Sequence, residues 1–327
     1  MKIAFFDAKS YDRPSFDRYA KAAGLEIKYF ETKLSEDTAS LARESDGVCV
    51  FVNDRVDAPV IDMLLDSGCK IIALRCAGFN NVDLEYLDGR IPVFNVPAYS
   101  PYSVAEHAMA MLLTSIRRIH KAYIRTRDFN FSLKGMTGYD LHSKTVGVVG
   151  TGKIGRCFIN ICKGFGMRIL ANDKYPTDIP DVAYVDTDTI FRESDVISLH
   201  CPLTEETYHM IDGAAISKMK RKAMIINTSR GGLIDSASLL EAIKKRRIGG
   251  ACLDVYEDEN DLFFEDYSNH IVSDDTLARL ISMPNVIVTS HQAFLTEDAL
   301  ENIAETTVGN IVGYLEKGTE NNRVTSI

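Results

Sequence analysis

The stretch from Thr145 to Gly164 reads TVGVVGTGKIGRCFINICKG, and it decides the fold. Its first residues form an apolar run that predicts a short buried strand, and KIGRCFINICKG predicts a helix. Gly150, Gly152 and Gly155 lie where the strand passes into the helix. The first glycine allows a tight turn, the second lets the backbone approach a pyrophosphate, and the third lets helix and strand pack closely. A strand, this spacing and a helix together predict a dinucleotide-binding unit.

A single aspartate predicts which dinucleotide is bound. The next predicted strand, RILAND, ends at Asp173, 18 residues after Gly155. A carboxylate at this position accepts hydrogen bonds from the adenosine ribose hydroxyls and repels a 2′-phosphate. The alternative is a solvated aspartate at a strand end, and the adjacent Lys174 would partly offset its charge. We favour NAD over NADP as the cofactor.

Length and charge limit the classes of protein to which the chain can belong. A length of 327 residues predicts two domains of ordinary size. A net charge of −9 argues against nucleic acid or an anionic membrane as a partner. The sequence has no apolar run of transmembrane length, and its first residues, MKIAFFDAKS, lack the features of a signal peptide. Its seven cysteines show no CxxC spacing, which favours reduced thiols over disulfides or a zinc site. We therefore expect a cytoplasmic protein.

Strand-like and helix-like segments alternate along the chain. Five apolar runs occur in the first hundred residues: MKIAFF, LEIKYF, GVCVFV, KIIALR and IPVFNV. Six more follow residue 144: TVGVVG, RILAND, VISLHCP, AMIINTS, GGACLDV and NVIVTSH. Between the two series, residues 100–128 predict one long helix, whose apolar residues cover too much of its circumference for a single surface face. The alternation predicts an α/β fold with parallel sheets covered by helices. A C-terminal helix, in TEDALENIAETTVGNIVGYLEKG, would cross back to the first domain.

Strand ends also supply candidates for catalysis. A nicotinamide enzyme that acts on a polar carbonyl needs a cation for the substrate, a proton donor and a group that tunes the donor. Ligands of open α/β sheets bind at the carboxyl ends of the strands. Arg230 follows the strand AMIINTS, and its guanidinium can hold a carboxylate through two hydrogen bonds. His291 follows NVIVTS, while His200, in VISLHCP, is a competing histidine at a strand end.

Three neighbouring acids are candidates for the group that tunes the histidine. Glu257, Asp258 and Glu259 follow the predicted strand GGACLDV. A carboxylate beside a histidine favours its protonated form and fixes its tautomer. Spacing alone leaves the choice among the three acids open.

The chain resembles the D-isomer-specific 2-hydroxyacid dehydrogenases over nearly its whole length. The resemblance rests on GTGKIG, NTSRGGLID, DVYEDE and SHQAF. Four longer matches are most similar to the fermentative D-lactate dehydrogenases within that family: LRCAGFNNVDL, VPAYSPYSVAEHA, RRIHKAYIRTRDFNFSLKGMTG and ENDLFFEDYSN.

The resemblance implies a fold and an activity. The fold would be two flavodoxin-like or Rossmann-like domains with parallel sheets and a cleft between them. Residues 1–99 with 296–327 would form the substrate domain, and residues 100–295 the NAD-binding domain. The reaction would be the reversible reduction of pyruvate to D-lactate with NAD as cofactor and no metal, in a homodimer or homotetramer. Two alternatives are a dehydrogenase for a larger, branched or aromatic D-2-hydroxy acid and an NAD-binding regulatory protein.

The same resemblance implies roles for individual residues. Arg230 would bind the substrate carboxylate and carbonyl, Glu259 would be the histidine's partner, and His291 would be the acid/base. The substrate would also contact the backbone of Ala77 and Gly78, together with Tyr99 and Phe294. The expected cofactor contacts are Gly150, Gly152, Lys153, Ile154, Gly155, Asp173, Cys201, Pro202, Thr207, Thr228, Ser229, Arg230 and Asp254.

Overall fold

The computed structural model describes residues 1–259 and 262–325, so Asn260 and Asp261 of the motif ENDLFFEDYSN lie outside it. The chain divides into two compact units. Unit 1 comprises Met1–Ser100 and Leu295–Ile327, and unit 2 comprises Pro101–Phe294. Each boundary lies one residue away from the position expected from the sequence. Both units combine helices with a parallel sheet, so the predicted α/β class with two such domains is confirmed.

The first hundred residues of unit 1 form five short strands with helices between them. In chain order these elements are β1 Lys2–Phe5, α1 Arg13–Ala22, β2 Glu26–Tyr29, β3 Gly47–Val50, α2 Ala58–Asp66, β4 Ile72–Leu74, α3 Leu84–Leu87 and β5 Val93–Phe94. The sheet order is β2-β1-β3-β4-β5, and every adjacent pair is parallel. This is the flavodoxin-like order. Strands β3, β4 and β5 are buried throughout, as expected for a sheet that helices cover on both faces, whereas the edge strand β2 has no buried residue.

Unit 2 contains a larger parallel sheet. Its elements are α4 Pro101–Arg117, α5 Ile119–Arg127, β6 Thr145–Val149, α6 Lys153–Gly164, β7 Arg168–Asn172, β8 Val182–Tyr184, α7 Thr187–Glu193, β9 Val196–Leu199, α8 Gly213–Lys218, β10 Met224–Asn227, α9 Ser236–Lys244, β11 Gly250–Leu253, α10 Asp275–Ser282 and β12 Val286–Val288. The sheet order is β12-β11-β10-β9-β6-β7-β8. The chain runs outward in opposite directions from β6, so the carboxyl ends of β6 and β9 form the topological switch point where such sheets bind ligands.

This sheet has seven strands where the sequence predicted six. The missed strand, β8, has only three residues and pairs with β7 at the edge of the sheet. None of its three side chains is fully buried. Its residues are Val, Ala and Tyr, but three residues are too few to show the period of a strand in the sequence.

The long helix predicted over residues 100–128 is two helices, so the prediction of one continuous helix was wrong. The break lies at Arg118, whose φ of +54° is left-handed. Neither glycine nor proline marks this position, which is why the sequence does not reveal the break. Eight residues of α4 are buried, whereas α5 has none. The broad apolar character of the stretch therefore has two sources, a buried helix and an exposed one.

The C-terminal helix belongs to unit 1. This helix, α11 Glu297–Lys317, begins at Thr296, whose hydroxyl accepts a hydrogen bond from Ala299 N at 3.2 Å. It packs against α1, where Ser15 Oγ donates to Glu301 Oε1 at 2.8 Å. Within the residues described, no helix combines the length and the apolar character needed to cross a membrane.

Candidate active site

In the glycine loop of unit 2, two glycines have no room for a side chain, and the third has open space beside it. Gly150 has a φ of +93°, and a Cβ there would lie 2.5 Å from the carbonyl carbon of His200. A Cβ on Gly155 would lie 2.0 Å from the Gly150 oxygen, so close packing requires glycine. At Gly152, where α6 begins, an added Cβ would meet no heavy atom within 4 Å. The loop therefore offers open space at a helix N-terminus, which attracts anions such as a pyrophosphate.

Asp173 lies at the carboxyl end of β7, next to this loop. Its Oδ2 accepts hydrogen bonds from Thr151 N at 2.6 Å and Thr151 Oγ1 at 2.9 Å, and its Oδ1 accepts one from Tyr175 N at 2.8 Å. Burial opposes the charged form, but these hydrogen bonds outweigh it and hold the pKa below its usual range. The ammonium group of Lys174 forms its ion pair with Glu206, at 2.9 Å from Nζ, and not with Asp173. Asp173 is therefore ionised at neutral pH, as discrimination against a 2′-phosphate requires.

Reasoning from the sequence missed a cation beside this aspartate. Arg156, one residue after the glycine motif, donates from Nε to the Thr151 oxygen at 3.0 Å and from Nη2 to Thr177 Oγ1 at 2.9 Å. Its charge contributes to the lowered pKa of Asp173. The feature of the sequence that could have predicted this cation is an arginine in the first turn of α6, directly after the glycine motif.

Further expected cofactor contacts follow β9 and β10. Ser229 Oγ donates to the Cys201 oxygen at 2.6 Å, and Thr207 Oγ1 donates to the Pro202 oxygen at 2.8 Å, so both hydroxyls hold the loops in place. Burial raises the pKa of the Cys201 thiol to about 11, which keeps it neutral. The buried Thr228 Oγ1 makes no hydrogen bond within the described part of the chain.

These features fit a bound NAD. A buried hydroxyl without a protein partner, such as that of Thr228, is a group that a ligand can satisfy. It lies at the carboxyl end of β10, on the edge of the sheet where Gly150 follows β6. The open turn at Gly152 and the ionised Asp173 add room for a pyrophosphate and an acceptor for a ribose.

Arg230 lies in the turn that follows β10. Asn227 Nδ2 donates to the Arg230 oxygen at 2.9 Å, and Arg230 Nη1 donates to the Ser229 oxygen at 2.7 Å. The next residue, Gly231, has no room for a side chain, since a Cβ would lie 2.0 Å from the carbonyl carbon of Tyr256. The turn that carries Arg230 is thus in direct contact with the loop that follows β11.

That loop carries Glu259, which contacts His291. His291 Nδ1 lies 2.9 Å from Glu259 Oε1, and Glu259 Oε2 accepts a hydrogen bond from Tyr256 N at 3.1 Å. The side chains of His291 and Glu259 are 19% and 17% exposed, so they are shielded from bulk water but still accessible. Of the three candidate acids, Glu257 bonds to His209 Nε2 instead. The geometry therefore selects Glu259 as the partner of His291.

The competing histidine has a different environment. His200 Nε2 lies 2.9 Å from Ser198 Oγ, and its ring centroid is 5.0 Å from that of Phe158. Burial lowers the pKa of His200 to about 4, so the ring is neutral near pH 7. Among the described residues no carboxylate pairs with it, which favours His291 as the acid/base.

The backbone of His291 is held in a strained conformation. Its φ is +51°, in the left-handed region that costs a residue other than glycine about 1–3 kcal/mol. The His291 N–H donates to the Asp254 oxygen at 2.7 Å. The Asp254 carboxylate accepts hydrogen bonds from Gln292 N at 2.9 Å and Ala293 N at 2.8 Å. Asp254, an expected cofactor contact, therefore fixes the segment that carries the histidine.

Two of the expected substrate residues lie in a loop of unit 1, after β4. The oxygens of this loop are occupied: Asn95 Nδ2 donates to the Ala77 oxygen at 2.8 Å, and Cys76 Sγ donates to the Gly78 oxygen at 3.2 Å. The N–H groups of Ala77 and Gly78 make no hydrogen bond to any residue that the structure describes. The loop is thus fixed through its acceptors and keeps two donors for an anion.

The other two expected substrate residues are aromatic. Tyr99 belongs to unit 1, where its carbonyl oxygen accepts a hydrogen bond from Asn302 Nδ2 at 2.8 Å. Phe294 is buried at the end of unit 2, three residues after His291.

Known proteins are similar to this chain in both sequence and fold. Residues 109–293 match the model of the family described as D-isomer specific 2-hydroxyacid dehydrogenase, NAD binding domain. The D-lactate dehydrogenase of Escherichia coli is 52% identical over 97% of this chain and 98% of its own. The apo structure of the Escherichia coli enzyme superposes with a TM-score of 0.91 at 49% identity, covering 99% of this chain and 100% of that chain. A D-2-hydroxyisocaproate dehydrogenase structure has a TM-score of 0.88 at 34% identity, with 100% of both chains covered.

These matches extend over nearly the whole chain, and the family match includes Arg230, Glu259 and His291. NAD as the cofactor and an oxidoreductase as the class of enzyme are both confirmed. The chain belongs to the D-isomer-specific 2-hydroxyacid dehydrogenases.

Proposed function

We propose that this chain is an NAD-dependent D-lactate dehydrogenase that reversibly reduces pyruvate to D-lactate. The observation that carries the proposal is the contact of 2.9 Å between His291 Nδ1 and Glu259 Oε1, in a unit that belongs to an NAD-binding family. The choice of lactate is supported by the 52% identity with the D-lactate dehydrogenase of Escherichia coli.

The two units have different roles in this proposal. Residues 100–295 bind the cofactor, and residues 1–99 with 296–327 bind the substrate. In the cofactor domain, Gly152, Lys153 and Ile154 at the start of α6 hold the pyrophosphate through their N–H groups. Asp173 accepts hydrogen bonds from the adenosine ribose. When bound, NADH supplies the hydride that reduces the keto carbon.

Arg230 and the loop after β4 bind the substrate anion. The guanidinium of Arg230 holds the carboxylate of the keto acid and polarises its carbonyl. The N–H groups of Ala77 and Gly78 donate to the same carboxylate, and their lack of other acceptors supports this role. Tyr99 and Phe294 are the aromatic residues that this proposal assigns to the substrate.

His291 moves the proton. Because Nδ1 is engaged by Glu259, Nε2 is the nitrogen available to the substrate oxygen. During reduction the imidazolium donates its Nε2 proton to the carbonyl oxygen while the keto carbon receives the hydride, and the product is the hydroxy acid. In the reverse direction the neutral imidazole accepts that proton. Glu259 stabilises the imidazolium and fixes the tautomer.

A second candidate is the same reaction on a larger 2-keto acid. The structural match to a D-2-hydroxyisocaproate dehydrogenase, over the full length at 34% identity, favours it. A panel of pyruvate, branched and aromatic 2-keto acids, each measured with NADH and NADPH, separates the two candidates. We expect the highest kcat/KM for pyruvate with NADH, and a D-configured product. Faster turnover of a branched acid would select the second candidate, and no turnover on any 2-keto acid would favour a regulatory protein.

We also propose that the protein is a homodimer or homotetramer. The segment from α5 to Leu133 exposes apolar side chains, with Phe129 at 85% and Leu133 at 83%, a degree of exposure that favours a partner. The side chains involved are Ile119, Tyr123, Ile124, Phe129, Phe131 and Leu133. Light scattering should give a multiple of 36.4 kDa for the wild type and a smaller mass when Phe129 and Leu133 are both changed to Ser. A monomeric wild type would contradict this proposal.

The expected location is the cytoplasm. All seven cysteines are free thiols, and all are buried. Unpaired cysteines in this number are typical of proteins from reducing compartments. Fractionation of the source cells, with the enzyme activity followed in each fraction, tests this expectation.

A further inference from the structure

Three polar side chains connect α4 to the segment that carries His291. His107, on α4, places its Nε2 3.1 Å from Thr289 Oγ1 and 3.4 Å from Asp254 Oδ1. Thr289 Oγ1 lies 2.5 Å from the same Asp254 oxygen. The Asp254 side chain is fully buried, and that of His107 is 20% exposed. The three residues are far apart in the sequence, so only the fold brings them together.

The direction of these hydrogen bonds follows from the number of protons available. Thr289 has a single hydroxyl proton, which goes to the nearby charged oxygen of Asp254. Thr289 Oγ1 has two other contacts, with Met111 Sδ at 3.7 Å and with His107 Nε2 at 3.1 Å. The sulfur carries no proton, so the contact with His107 requires the imidazole to donate. His107 therefore completes the cluster as a donor, a role that an apolar side chain of the same size lacks.

The cluster fixes the backbone around His291. Asp254 accepts hydrogen bonds from the N–H groups of Gln292 and Ala293 through its carboxylate, and from His291 N–H through its carbonyl oxygen. Burial opposes the charge on Asp254, but hydrogen bonds from His107, Thr289 and the backbone hold its pKa below the usual range. Each bond that keeps this carboxylate charged and in place also restrains the left-handed His291.

We propose that His107 is a positioning residue for the reaction. It donates to Thr289, which orients the hydroxyl toward Asp254, and Asp254 holds the segment from Thr289 to Ala293 that aims the His291 ring. His107 acts through this cluster and transfers no proton itself. The inference rests on the proposed function, in which His291 supplies the proton to the keto acid.

The test compares two substitutions of His107 with one of Thr289. His107→Leu removes the donor, His107→Gln restores a donor nitrogen, and Thr289→Val removes the hydroxyl with little change of shape. For pyruvate reduction we expect His107→Leu to lower kcat about 10- to 100-fold, the effect of a misplaced catalytic group. We expect KM for pyruvate and Kd for NADH to change less than about threefold, since neither ligand touches His107 in this proposal. His107→Gln should recover most of kcat.

A double-mutant cycle examines whether His107 and Thr289 act as one cluster. If they do, His107→Leu combined with Thr289→Val should lower kcat no further than the worse single variant. Effects that multiply would overturn the proposal, as would a wild-type kcat in His107→Leu. Weaker NADH binding in His107→Leu with an unchanged kcat would also overturn it, because the cluster would then serve the cofactor.

A control and a second measurement separate positioning from folding and from the proposed function. His120, whose Nδ1 lies 3.3 Å from the Thr114 oxygen, makes no hydrogen bond to the cluster among the described residues, and His120→Leu should keep the wild-type kcat. Hydrogen exchange of residues 289–293 does not require turnover. We expect exchange about fivefold faster in His107→Leu, the equivalent of one lost hydrogen bond. Unchanged exchange would overturn the positioning role even if His107→Leu were inactive.

A wild type inactive on every 2-keto acid would instead contradict the proposed function. If His107→Leu fails to fold, the conservative Thr289→Val gives the same two readouts.

Discussion

Replacing Glu259 with Gln removes a negative charge from the side chain that lies 2.9 Å from His291 Nδ1, while its size and one hydrogen-bond acceptor remain. In the proposed mechanism, reduction of the keto acid needs the imidazolium of His291, whereas oxidation of the hydroxy acid needs the neutral ring. A neighbouring carboxylate favours the imidazolium. The variant should therefore be slower in the reduction, because the proton donor is stabilised less.

The geometry sets the size of this change. Two unit charges 2.9 Å apart interact by roughly 1.4 kcal/mol in bulk water and by roughly 5.7 kcal/mol at an effective dielectric constant of 20. The two side chains are 19% and 17% exposed, and Gln keeps a polar contact, so the lower part of the range applies. We expect kcat/KM for pyruvate reduction at pH 7 to fall by about 10-fold, the factor that corresponds to about 1.4 kcal/mol.

The assay is kcat/KM for pyruvate from pH 5 to 10, with D-lactate oxidation measured in parallel. Glu257→Gln is the matched control, because Glu257 is two residues away but bonds to His209. The control should keep the wild-type profile. His291→Gln should lose activity in both directions and still bind NADH. An unchanged kcat/KM in Glu259→Gln, or an equal fall in Glu257→Gln, would refute the assignment of the histidine's partner.

Three further predictions address other parts of the site. Arg230→Lys keeps the charge but loses the planar guanidinium, so KM for the keto acid should rise and kcat should fall, with NADH affinity nearly constant; unaltered kinetics would remove Arg230 from the site. Asp173→Asn should weaken NADH binding by about 1–3 kcal/mol, the cost of lost charge-assisted hydrogen bonds, and narrow the gap to NADPH; titration of both cofactors checks this, and a wild type that prefers NADPH would contradict it. Burial holds the pKa of His200 at about 4, below the value of about 6.5 for an unfolded chain, so the stability that its neutral ring provides is complete above pH 6.5 and lost as the pH falls toward 4. Urea melts should show that the free energy of unfolding of the wild type, relative to that of His200→Gln, drops by about 3 kcal/mol between pH 7 and pH 4. A difference between the two proteins that does not change with pH would contradict the burial argument.

Local features of the sequence were enough to predict the fold class, the cofactor and the positions of several site residues. Gly150 requires a positive φ and Gly155 a close approach, and both conditions are set within a few residues of the motif. Asp173 and Arg230 could be placed because each directly follows an apolar run, and the carboxyl ends of parallel strands share one edge of the sheet. The periods of strands and helices are short, so they can be detected in the sequence alone.

Tertiary structure decided which side chains meet. From their spacing, Glu257 and Glu259 were equivalent; in the fold Glu257 bonds to His209 and Glu259 to His291. The contact between His107 and Thr289, 182 residues apart, has no trace in the sequence. The break at Arg118 also has no signal in the sequence, because neither glycine nor proline occurs there. The physical reason is common to all of them: a hydrogen-bond partner or a strained backbone angle is selected by groups that arrive from distant parts of the chain, and their positions exist only once the sheet and its helices have packed.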